Sequence, residues 1–128
     1  MIALREDDRG SSPVEFVLVG TLLTILTLAV VQLALAVYVR NVVHDAAVEG
    51  AYHGALADTS PADGAARALR LIQTAVSGLD ATVSAHDTTA LGVPAVEVTV
   101  IATLPLVGLL GVPAGMEVSA HAPRESFD

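Results

Sequence analysis

Four residues in one stretch, His44, Asp45, Glu49 and His53, carry the side chains that a metal ion takes from proteins. On a helix, Asp45, Glu49 and His53 follow one another at intervals of four and share a side, while His44 is turned away by about 100 degrees. No HExxH or calcium-loop pattern accompanies them. The spacing fits a solvated helical face, with a metal site and a polar contact between subunits as the other readings. His86 and His121 stand in weakly patterned strands and read as surface or edge residues. Ser11 and Ser12 have no base at a useful spacing. Gly108, Gly111 and Gly115 precede no Lys-Ser/Thr pair and form no phosphate loop. No cysteine is present, which excludes disulfides, thiolate chemistry and zinc–sulfur sites. No cofactor and no enzymatic activity are expected.

Glu15 poses a different question, because it opens a long apolar run. A carboxylate there is close to a lipid surface, where it can be an interfacial acid without need of a partner, or paired with something, or misplaced. Deeper in lipid, an uncompensated one costs of order 3 kcal/mol. Phe16 to Val39 contains no ionised side chain over 24 residues. As a helix this run spans about 36 Å, enough to cross a bilayer core with some tilt. The whole chain is 53% apolar and 16% charged in 128 residues, which leaves little soluble domain in which to hide a helix apolar on every side. A transmembrane span is expected. A removable secretory signal fits less well, since the apolar part is too long and no small-x-small site directly follows it.

Arg5 and Arg9 lie before the span and Arg40 just after it. The balance of positive charge favours a cytoplasmic N terminus, with the rest of the chain outside the cell membrane. Residues 41–128 carry three Arg and ten acids, so no basic patch offers itself to nucleic acid or to anionic lipid.

The elements that follow can be placed from pattern. The helix is expected to leave the membrane as a stem and to run to about Ala57, before "DTSPADG" breaks it. Ser60 should cap a second helix beginning at Pro61. Its inward stripe is expected at Ala65, Leu69, Ile72, Val76 and Leu79, with Arg67, Arg70 and Gln73 outward and Gly78 at its end. "DATVSAH" is a weak strand. "PAVEVTVIATLPL" is a strong one, with Val96, Val98 and Val100 opposed to Glu97, Thr99 and Ile101. "MEVSAHA" is a third, with Met116, Val118 and Ala120 opposed to Glu117, Ser119 and His121. "GLLGVPAG" is an apolar connection, expected on the core or near the membrane. The predicted fold class is α+β. A long N-terminal transmembrane helix and stem cover residues 11–57, after a leader at 1–10. A small domain at 61–122 lays one amphipathic helix on three antiparallel strands, and 123–128 is a tail. Such a core is small and needs help from the stem or a neighbouring subunit.

A polar leader that ends at Gly10, with Glu15 five residues on, resembles the processing site of type IV pilin-like proteins. The wider stretch "RGSSPVEFVLV", the apolar helix and "YVRNVVHDAAVEGAYHGA" resemble the TadE family of tight-adherence pilus assembly proteins. "SPADGAARA" and "VPAVEVTVIATLPLVGLLG" look like the actinobacterial branch of TadE-like proteins, and the resemblance runs from Arg9 to about Ala122. It implies a minor pilin or pseudopilin of the Tad system. A prepilin peptidase would cut after Gly10 and make Ser11 the new N terminus. Glu15 would be the pilin-like glutamate, and Phe16 the aromatic residue that follows it. The implied partners are other TadE- or TadG-like minor pilins, the Flp major pilin and the Tad assembly platform, all met at the lipid bilayer. Pro13 departs from the motif but is tolerable in a helix's first turn. The rival reading is a membrane-tethered envelope-binding module, whose mark would be a concave, partly apolar pocket within residues 80–122.

Overall fold

The computed structural model describes residues 2–104 and 114–126, with side chains from Gly10 to Leu104 and from Gly115 to Ser126. The apolar connection expected around 108–113 lies outside the described residues, as do the leader side chains. Five elements follow one another: α1 (Ile2–Ala55), α2 (Pro61–Ala75), β1 (Ala81–Ala90), β2 (Val93–Leu104) and β3 (Ala114–Pro123). The chain divides into two compact units, Met1–Leu35 and Ala36–Asp128, and the division falls inside α1.

In the first unit α1 begins at Ile2 rather than after Gly10, so Pro13 lies inside the helix. Apolar side chains point outward on every side, from Val14 and Phe16 to Leu33. Thr24 donates to the Gly20 carbonyl and Thr27 to that of Leu23, both at 2.8 Å. The two hydroxyls are thus satisfied within the helix, as a lipid environment demands. α1 is long and apolar enough to cross a membrane: its most apolar window has a mean hydropathy of 2.4, and only 6% of that window is buried. A core helix of a soluble protein would be mostly covered, so the exposed helix fits a single membrane span.

The second unit is a two-layer α+β domain. The sheet is antiparallel throughout, in the order β1-β2-β3. Alternation along β2 turns Val96, Val98, Val100 and Ala102 to one face, where all are buried. Val118, Ala120 and Ala122 of β3 join them, and Ala81, Val83 and Ala85 of β1 pack at the edge. Two helical segments cover this face. The stem part of α1 contributes Val39, Val43, Ala46, Ala47, Ala51 and Ala55, and α2 contributes Ala68 and Ile72. The stem is therefore a core element of the domain, which answers the need for help that so small a sheet and one helix would have.

Ser60 caps α2 as expected. Its hydroxyl accepts from the Asp63 amide at 3.3 Å, and the Asp63 carboxylate accepts from the Ser60 amide at 2.9 Å. Ile72, Val76 and Leu79 of the expected inward stripe lie in or against the core, but the start of α2 differs. Gly64, Ala68 and Ile72 are buried, while Leu69 is exposed and Ala65 only half-buried. The cause is the closeness of the two helices: a Cβ on Gly50 would come within 2.7 Å of the Gly64 carbonyl oxygen and 2.8 Å of Ala68 Cβ. Only small residues fit that crossing, so it takes precedence over burying Leu69. α2 ends at Ala75, and Gly78 (φ +81°) turns the chain into β1. β1 is longer than the expected strand and meets β2 through a tight turn at Leu91 (φ 52°) and Gly92 (φ 80°). The expected tail is partly tied down. The Glu125 amide donates to the Ala55 carbonyl at 2.8 Å, and Arg124 Nη1 donates to that of Gly54 at 3.2 Å.

Candidate functional site: the anchor helix and the stem

Gly10, Ser11, Glu15 and Phe16 all lie on α1, and all are exposed. A Cβ added at Gly10 would meet nothing within 4 Å. Glycine inside a helix costs about 1 kcal/mol relative to alanine, and here no packing contact offsets it. Among the described residues no close contact requires a glycine at this position, unlike Gly50 and Gly64. Ser11 and Glu15 are one helical turn apart, on the same side. Glu15 has no hydrogen bond or ion pair among the described residues. Phe16 is 80% exposed, an aromatic ring left largely uncovered by the described residues.

The stem carries the polar residues considered above. Glu49 accepts from Arg67 of α2, with Oε1 at 2.7 Å from Nη2 and 3.3 Å from Nε. His44 and Asp45 are exposed and His53 is half-buried. Among the described residues, no group of three or more His, Asp or Glu is placed to hold a metal ion. Glu49 is drawn across to α2 rather than along its own helix, and Arg67 faces the stem rather than standing outward as expected.

On the outer face of the sheet, register brings His86, Glu97 and His121 into one cross-strand row. His121 Nε2 lies 2.5 Å from Glu97 Oε2, and Thr99 Oγ1 is 3.0 Å from Ser119 Oγ. This row was visible in the sequence only as alternation; pairing depends on strand order, which alternation does not encode. At the start of α2, hydrogen bonds from the Ser60 amide and then the Ser60 hydroxyl hold the Asp63 carboxyl below its ordinary value of 3.8.

Sequence reasoning missed a cleft of about 470 Å³ beside β3, lined by Arg40, Asn41 and His44 of the stem and by Glu117, Val118 and Ser119. These groups are about 75 residues apart in the chain and meet only through the fold.

Residues 10–51 match the family model described as TadE-like protein. The match starts at Gly10, contains Glu15, Phe16 and the entire apolar run, and ends within the stem. Residues 52–128 lie outside it, so the second helix and the sheet are not part of the likeness. No curated protein and no solved structure matches the chain.

Proposed function

We propose that this chain is a TadE-like minor pilin or pseudopilin that works in Tad pilus assembly, as a structural subunit rather than an enzyme. The observation that carries the reading is the family match beginning at Gly10 and running through the exposed helix. A helix apolar on all sides is a surface for lipid and for other helices. In a bilayer, contacts between helices come from packing and from polar groups that find partners. Glu15 and Phe16 are such unpartnered groups at one end of the span.

Cleavage after Gly10 by a prepilin peptidase would account for two local features. Gly10 itself makes no contact that a side chain would disturb, and its bareness suits a protease that must approach the backbone. Pro13 lies inside α1, where proline costs about 3 kcal/mol through a lost backbone bond and a clash. In a chain starting at Ser11 it falls in the first turn, where the missing N–H costs nothing. The new amine at Ser11 would then stand one turn from Glu15 and compensate its charge, within one chain or between neighbours. The N terminus faces the cytoplasm and the domain lies outside the cell membrane. The partners are the peptidase, other TadE- or TadG-like minor pilins, the Flp major pilin and the assembly platform. The resemblance of the stretches at 60–68 and 93–111 to the actinobacterial branch is the support for placing the chain there.

The deciding experiment is the mass and N-terminal peptide of protein extracted from native membranes. A chain starting at Ser11 is expected. A chain starting at Met1 or Ile2 would defeat the processing claim and the assignment of Glu15 as an assembly residue.

A further inference from the structure

We propose that the cleft between the stem and β3 binds the headgroup of a zwitterionic aminophospholipid from the leaflet through which the stem emerges. The proposal rests on the reading of the apolar run that opens at Phe16 as a membrane span. Arg40 is the first charged residue after that run, and Tyr38, half-exposed, stands just before it. Tyrosine and arginine at that depth mark the level of the headgroups. The cleft is therefore at the height of lipid phosphates, wherever the rest of the domain sits.

Its lining has the chemistry of such a headgroup. Arg40 and His44 are four residues apart and share a side of the stem, with Asn41 beside them. They offer a guanidinium fork, a ring N–H and an amide to one phosphodiester. Across the cleft Glu117 of β3 offers a carboxylate to an ammonium group. Arg40, Asn41, His44 and Glu117 have no side-chain hydrogen bond or ion pair among the described residues. The cation at Arg40 is thus available, in contrast to Arg67 and Arg124, which are paired. An anionic lipid without an amine suits the cleft less well, because Glu117 faces it and residues 41–128 carry a net charge of −7.

The test uses the full chain in a phosphate-free maltoside detergent, with bound lipid counted by native mass spectrometry. Dioleoylphosphatidylethanolamine is expected to remain bound to the wild type. The double variant Arg40→Gln/His44→Gln should retain at least about tenfold less, the loss expected of a charge-assisted contact. Arg70→Gln, on the exposed side of α2, should retain as much as the wild type. Equal retention by the double variant, or equal binding of dioleoylglycerol, overturns the proposal. So does displacement of the lipid by glycerophosphoethanolamine at equal concentration, which would make the ligand a soluble phosphodiester. A dimer that the double variant abolishes would make the cleft a protein interface and overturn it as well. Thermal unfolding of the variants checks that they fold, as substitution of exposed residues should allow. Carbonate washing of membranes separates the two readings. Release of the chain refutes the span and this proposal together, whereas a retained chain with unchanged lipid binding refutes the headgroup site alone.

Discussion

The pairing of Ser60 with Asp63 is a small feature with a measurable signature. Asp63 in the folded chain accepts hydrogen bonds that its ionised form needs, so its folded pKa lies below 3.8. A group depressed in this way contributes stability that is fully present above its unfolded value and is lost as pH falls through the folded one. Unfolding temperature should therefore drop as pH is lowered below about 4, and Asp63→Asn should remove part of that dependence while leaving the neutral-pH slope unchanged. Circular dichroism melts of the two proteins across acidic pH measure it; identical acid limbs would show that the cap carries no such linkage. The same cap was readable in advance, because Ser, Pro and Asp at these positions are a local code that needs no tertiary partner. Leu91 was not readable. A leucine at φ 52° sits where asparagine or glycine is usual, and only Gly92 beside it hinted at the turn.

Elements were legible where one face decides their fate. The alternation set Val96, Val98 and Val100 on one face of β2 and Val118 on one face of β3, and all four are buried. The stripe of α2 was right at Ile72, Val76 and Leu79 but misplaced towards its start, because hydrophobicity favours Leu69 whereas a close helix crossing favours Gly64 and Ala68. A pattern of small residues carries that information only once the partner helix is known. The crossing makes a sharp prediction. A methyl at position 64 would overlap the Gly50 carbonyl oxygen and press on Gly54. Backbone atoms cannot step aside as a side-chain tip can, so Gly64→Ala should destabilise the chain by roughly 1–3 kcal/mol despite alanine's better helix propensity. Gly10→Ala, at a site with open space, should be neutral or slightly stabilising in the same melt. If Gly64→Ala melts like the wild type, the helices are not as close as described. The site was legible in part for a related reason. Gly10, Ser11, Glu15 and Phe16 sit within seven residues, while Arg40 and Glu117 come together only in three dimensions.

At the scale of the molecule, the boundary between the two units lies within a helix and not at a loop. The stem is as much a part of the domain's interior as any strand, with Val39, Val43, Ala47 and Ala51 fully buried. A fragment starting at Ala36 is expected to fold cooperatively in water, and one starting at Asp58 is expected to stay unfolded, having lost six core side chains. Heat-capacity traces and protease resistance of the two fragments decide this. A folded short fragment would show that the sheet and α2 suffice.

The hydrogen bonds from Arg124 and Glu125 to the end of the stem have a consequence for biogenesis. The stem cannot close its interior until β3 arrives, some sixty residues later in synthesis. A chain threading through a membrane channel thus carries no finished structure to jam it. In the proposed orientation folding would be completed on the far side, in the order of emergence, and locking the final strand against the helix would hold the newly delivered domain where it came out.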